Sequence, residues 1–114
     1  MIIRQDSMKS ERREQMRGGA GSVAITHIVD KDAIRHARLF SRITLGAGDE
    51  IGPHVHEQET EYYYIISGEG VVTEDDGEHS VSAGDVVVTG NGASHSIRNS
   101  GSVPLVFVAL IILD

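Results

Sequence analysis

Short runs of β-branched and apolar residues, cut at regular intervals by glycine-rich turns, constrain this chain more than any other feature. Val23–Val29 is partly alternating. His36–Leu45 alternates cleanly, with Ala37, Leu39, Ser41, Ile43 and Leu45 on one face and His36, Arg38, Phe40, Arg42 and Thr44 on the other. Tyr62–Ile66, Gly70–Thr73, a short strand opening at Val81, Val86–Val88, Ser94–Arg98 and Val103–Leu113 continue the series. Gly46-Ala47-Gly48-Asp49, Ser67-Gly68, Asp75-Asp76-Gly77-Glu78, Ala83-Gly84-Asp85, Gly90-Asn91-Gly92 and Asn99-Ser100-Gly101 separate the runs. The pattern predicts roughly nine or ten strands spaced ~8–12 residues apart, with no sustained helical period, which is the signature of a sandwich or closed barrel.

With 114 residues the chain is long enough for a single domain. Residues 1–21 read as an N-terminal arm that runs from charged residues into Gly18-Gly19-Ala20-Gly21, and residues 22–114 as the barrel domain. Ile2 and Ile3 are expected to add a short strand to a neighbouring sheet. The apolar run Val103–Leu113 is about half the ~20 residues of a spanning helix, so it reads as a strand buried on both faces. No apolar leader is visible near the N-terminus, and the chain reads as cytoplasmic with no membrane association.

The net charge of −7 is unevenly distributed. Residues 1–42 carry nine Lys/Arg against five Asp/Glu, whereas residues 43–114 carry Arg98 alone against twelve acids. An acidic body disfavours nucleic acid, whose phosphates need clustered cations. Arg12, Arg13 and Arg17, interleaved with Glu11 and Glu14, read as a solvated segment. The chain has no cysteine, so any metal must be held by imidazole, carboxylate or water.

Against that background four residues stand out. His54 and His56 are two apart and point to one side of an extended backbone. Glu61 opens the next strand beyond the polar loop Glu57-Gln58-Glu59-Thr60, and His95 follows a second glycine-rich turn. Three imidazoles and a carboxylate suit Mn, Fe, Co, Ni or Zn, and suit the oxygen-seeking Ca and Mg poorly. Spacing alone also fits surface or satisfied core histidines.

The turns around these residues carry a resemblance. Gly48, five residues, His54-Val55-His56, four residues, Glu61, six residues and Gly68 fit the first cupin motif at every defined position. Gly84, Gly90, Gly92, His95 and Asn99 fit the second, with Gly90 standing where the motif has proline. The chain thus resembles the cupin superfamily, in its small single-domain form, over residues 48–99. The resemblance implies an all-β jelly-roll barrel (a double-stranded β-helix) in which His54, His56, Glu61 and His95 bind one divalent transition metal, Mn or Fe ahead of Ni, Co or Zn. Four such ligands leave a position open for a substrate or a water.

The surroundings give further expectations. Tyr63 shares a strand face with Glu61, and either bonds a ligand or packs with its hydroxyl satisfied. Arg38 and Arg42 pair with a substrate carboxylate if their face lines the barrel, and are solvated if Ala37, Leu39, Ile43 and Leu45 line it, which the patterning favours. Glu57 and Glu59 read as a solvated loop. Asn99 is expected to fix the turn after its strand. His27, His36 and His79 lack motif context, and His79 reads as exposed beside its hairpin turn. The resemblance implies a metal-dependent enzyme acting on a small oxygen-bearing molecule, by oxalate-decarboxylase-like, dioxygenase or isomerase chemistry. The alternative is a non-catalytic module that binds or senses a small ligand through the same metal. Open sheet edges predict a homodimer.

Overall fold

A computed structural model describes all of residues 1–114. Ten strands form: β1 (Ser10–Glu14), β2 (Ser22–His27), β3 (Ala37–Leu45), β4 (Glu50–Val55), β5 (Glu59–Ser67), β6 (Glu69–Glu74), β7 (Gly77–Ser82), β8 (Val86–Gly90), β9 (Ser94–Asn99) and β10 (Leu105–Leu113). They build a six-stranded sheet in the order β1-β2-β3-β10-β5-β8 and a four-stranded sheet in the order β4-β9-β6-β7, both antiparallel. The two curl against each other as a jelly-roll barrel. No helix is long and apolar enough to cross a membrane.

Alternation decides what faces inward. Ala37, Ser41, Ile43 and Leu45 of β3 are buried, as their period predicts. Leu45, Ile65, Val72, Ile97, Leu105 and Phe107 meet between the sheets with no exposed surface. Burying one such side chain fully contributes about 1.5–3 kcal/mol.

Two expectations are corrected. The strand of the N-terminal arm is Ser10–Glu14, which pairs with β2 in register from Ser10 opposite Thr26 to Glu14 opposite Ser22, while Ile2 and Ile3 lie outside any strand. β10 is buried on one face only. Leu105, Phe107, Ala109 and Ile111 point inward, whereas Val106, Val108 and Leu110 are half-buried and Ile112 is exposed on the outer face. A central strand with one outward apolar face produces the same continuous apolar run as a strand covered on both sides.

Two irregularities bear on the placement of side chains around the centre. Between β4 and β9, Ile51 lies opposite Ile97 and His54 opposite His95, so β4 accommodates one extra residue at Gly52-Pro53. A bulge of this kind shifts the alternation by one. His54 and His56 therefore face inward like Ile51, while Val55 faces out. Proline lacks the ladder donor, which suits Pro53 to the bulge. Between β3 and β10, Ile111 lies opposite Leu39 and Ile112 opposite Ala37, which makes Arg38 the unpaired residue.

Candidate metal centre

His54 and His56 come from β4 and the residue after it, His95 from β9, and Glu61 from β5 in the opposite sheet. The centre therefore bridges the two sheets at one end of the core. His56, Glu61 and His95 are buried and His54 is partly so. The Nε2 atom of His95 lies 3.0 Å from His54 Nε2, 3.1 Å from His56 Nε2 and 3.0 Å from Glu61 Oε1. Glu61 Oε1 is 2.8 Å from His56 Nε2 and 3.6 Å from His54 Nε2. All four ligand atoms lie within 4.8 Å of one another.

These spacings fit a shared cation. Donors ~2.1 Å from one ion and at right angles to each other lie about 3.0 Å apart. For His54 and His56 the outer partners also fix which nitrogen is free. His54 Nδ1 lies 2.8 Å from the Gly52 carbonyl oxygen, which can only accept, so Nδ1 carries the proton and Nε2 a lone pair. His56 Nδ1 is held in the same way by the Glu59 carboxylate at 2.5 Å. His95 Nδ1 bonds the Thr89 hydroxyl at 2.7 Å. Each imidazole thus has its far nitrogen anchored, the arrangement that orients metal-binding histidines.

Electrostatics follow from the same contacts. Burial alone would raise the Glu61 carboxyl, but hydrogen bonds with His54, His56 and His95 outweigh it and hold Glu61 ionised, well below the usual carboxylate range. Burial would lower His56, yet Glu61 and then Glu59 outweigh it and raise the imidazole above its ordinary value. His95, with only Glu61 to oppose burial, is lowered.

The substrate candidates separate. Tyr63 is 1% exposed and stacks on His95, with ring centroids 4.9 Å apart and planes at 15°, and it also meets Phe107 at 4.6 Å. Burial, with Glu61 close by, pushes its phenol well above its ordinary value, so the hydroxyl keeps its proton. Arg38, carried by the bulge, donates Nε–H and Nη2–H to the two oxygens of Glu59 at 2.7 Å each. Arg42 lies on the face of β3 opposite Ser41 and Ile43 and does not line the cavity over the centre. His79 is exposed at its hairpin and bonds Asp76. The Asn99 side chain donates to the carbonyls of Leu45 and Val103 and accepts from Gly101 N–H, which ties its turn to β3 and to the segment that leads into β10.

Three contributions escaped the sequence reading. Glu59 is buried rather than solvated, because Gln58, with φ 58°, turns the chain back so that Glu59 meets His56 and Arg38. Thr89 carried a legible signal, since it lies two residues after buried Val87 on the same inward face. Arg13 and Arg17, read as solvated, line the cavity above the centre. That cavity measures about 1010 Å³, and its walls include His54, His56, Glu61, Tyr63 and residues of β1.

Comparison with known proteins agrees with this geometry. The family model described as "Cupin domain" matches residues 41–111. An "Oxalate-binding protein" of Thermotoga maritima is 45% identical over 114 residues, covering 99% of this chain and 94% of its own. A solved structure from Thermotoga maritima, described as a predicted oxalate decarboxylase, superposes with a TM-score of 0.94 at 44% identity over 100% of both chains. A putative sugar phosphate isomerase from Acidithiobacillus ferrooxidans matches with a TM-score of 0.63 at 31% identity, over 68% of this chain and 51% of its own.

Proposed function

This chain belongs to the cupin family, and we propose that it uses a divalent metal, Mn or Fe ahead of Co, Ni or Zn, to bind a small carboxylate such as oxalate. The observation that carries this reading is the convergence of three imidazole Nε2 atoms and an ionised carboxylate on one point at the floor of an open cavity. His54, His56, Glu61 and His95 would hold the metal, which as a Lewis acid would polarise a ligand oxygen. The surrounding residues do the rest. Gly52, Glu59 and Thr89 orient the imidazoles, and Tyr63 and Phe107 wall off water from the inner side. The similar chain from Thermotoga maritima supports oxalate as the ligand class.

Turnover of that ligand is a second reading, and Tyr63 favours it. Its phenol keeps its proton beside Glu61, so it would serve a reacting molecule as a fixed hydrogen-bond donor rather than as an acid. Glu59 does not fill that role, because Arg38 first, and His56 with it, hold its carboxyl down at about 2. A homodimer is part of the proposal. Tyr62, Tyr64 and Ile66 of β5 and Val86 and Val88 of β8 present an exposed apolar face next to the unpaired edge of β8.

The test is metal content by mass spectrometry and oxalate titration by calorimetry, on protein purified without chelator, with His54→Ala alongside. About one metal per chain, with saturable oxalate binding, both lost in His54→Ala, is the expected result. Oxalate binding by metal-stripped protein, or none by metal-loaded protein, would overturn the reading. Release of CO2 or formate from bound oxalate would establish turnover.

A further inference from the structure

The cavity over the centre is walled on one side by the N-terminal segment, which a barrel does not require. Arg17 lies in the turn that links β1 to β2. Its backbone is left-handed (φ 56°, ψ 27°), as is that of Gln15 (φ 48°, ψ 46°). Non-glycine residues adopt this region at a cost and keep it where the surroundings enforce it. Here the surroundings are explicit. A Cβ on Gly52 would overlap the Arg17 carbonyl oxygen, and one on Gly19 would overlap the carbonyl oxygen of Glu50. Only two glycines let the turn lie this close to β4. Hydrogen bonds from Gln15 N–H to the Gly21 carbonyl (2.8 Å) and from Glu50 N–H to the Ala20 carbonyl (2.9 Å) close the turn and fasten it to β4.

Among the arginines of the cavity, Arg17 alone is unpaired. Lys9 is paired with Asp30, Arg13 with Glu11, and Arg38 with Glu59. Lys31 sits between Asp30 and Asp32 in its turn. Arg17 makes no ion pair and no side-chain hydrogen bond, and Glu14, which lines the same cavity, does not bridge to it. Its charge nonetheless reaches the inner wall. Burial and Glu61 push the Tyr63 phenol up, and Arg17 is the group that pulls the other way.

We propose that Arg17 is the anion-recognition residue of this cavity, its guanidinium taking a carboxylate of the ligand bound at the centre formed by His54, His56, Glu61 and His95. The inference rests on the reading of that centre as a carboxylate-binding site. A guanidinium presents two parallel N–H donors to a carboxylate. It also explains why an acidic chain keeps cations in its first 42 residues. Five of those nine, Lys9, Arg13, Arg17, Lys31 and Arg38, line the cavity over the metal centre, where they favour anions against the overall charge of −7.

The test compares Mn2+-loaded wild type, Arg17→Gln, Arg17→Lys and Arg42→Gln. Calorimetry measures the affinity of each for oxalate and for oxamate, which replaces one carboxylate with a neutral amide. Position 17 keeps a Cβ in every variant, so the backbone demand is unchanged. Wild type should prefer oxalate by about tenfold or more, and Arg17→Gln should lose most of that preference while binding Mn2+ within about twofold of wild type. Arg17→Lys should recover part of it, and Arg42→Gln, which removes a charge away from the cavity, should behave as wild type. An Arg17→Gln protein with unchanged oxalate affinity and preference would overturn the role of Arg17 and leave the metal site standing. Loss of Mn2+ binding in Arg17→Gln would make Arg17 a structural residue and overturn it as well. A wild type that binds neither anion would overturn the carboxylate reading and this inference together.

Discussion

Glu59→Gln isolates the outer shell of the centre, because it keeps the shape of the side chain and removes one acceptor and the charge. Glu59 Oε2 accepts from both His56 Nδ1–H and Arg38 Nη2–H, and Oε1 accepts from Arg38 Nε–H. A glutamine can place its oxygen at only one of these positions. With oxygen toward His56 the imidazole keeps its tautomer, its bond becomes neutral-to-neutral, and the amide N–H confronts Arg38. Since the Arg38 side chain is 46% exposed, it can swing into solvent. The loss is then the difference between a charge-assisted and a neutral bond, about 1–1.5 kcal/mol, or roughly tenfold in metal affinity. With the amide toward His56, Nδ1 must accept, the proton moves to Nε2, and the lone pair is gone. The first arrangement costs less, so the expected loss is about tenfold, at the low end of the range for outer partners of metal ligands. Competition against a fluorescent chelator for Mn2+ and Zn2+ measures it directly. Arg38→Ala is the control, because it leaves the bond between Glu59 and His56 intact. Affinity of Glu59→Gln within twofold of wild type, or an equal loss in Arg38→Ala, would refute the argument that Glu59 acts through the tautomer and basicity of His56.

Metal affinity should fall about tenfold per pH unit below the raised pKa of His56 and level off above it, because the ion must displace a proton that both Glu61 and Glu59 stabilise. Titrations of Mn2+ between about pH 5 and 8 give the profile, and a flat one would show that no proton leaves. Asn99→Asp should destabilise the fold by about 3 kcal/mol, since it turns a donor into an anion facing the carbonyls of Leu45 and Val103 in a buried site. A melting temperature lowered by roughly 10 °C is the expected readout, and an unchanged one would refute the role given to Asn99.

The parts of this protein that were legible in the sequence are those set by local periodicity. The alternation over Ala37–Leu45 placed Ser41, Ile43 and Leu45 inside because every other residue must face the core. The glycine-rich turns flanking His54–Glu61 and His95 placed the ligand set because those turns fix where strands begin. What escaped depends on contacts between distant segments. The bulge at Gly52-Pro53 is visible only once Ile51 and His54 are seen opposite Ile97 and His95. Glu59 lay in a polar stretch and became buried because Arg38, 21 residues earlier, came to meet it. Arg17 stood among alternating charges, and only the contact of its turn with Gly52 and the cavity it lines set it apart.

Gly52 belongs to two structures at once. Its missing side chain admits the backbone of Arg17, and its carbonyl oxygen receives the proton of His54 Nδ1. A single peptide therefore connects the cavity wall to the metal ligand. If a ligand orders the N-terminal turn, Gly52 is held more firmly, and His54 is held with it. By linkage the influence runs equally in reverse, so the metal strengthens the grip of the turn on β4 by the same free energy. In this barrel the entrance and the floor of the cavity meet at one glycine.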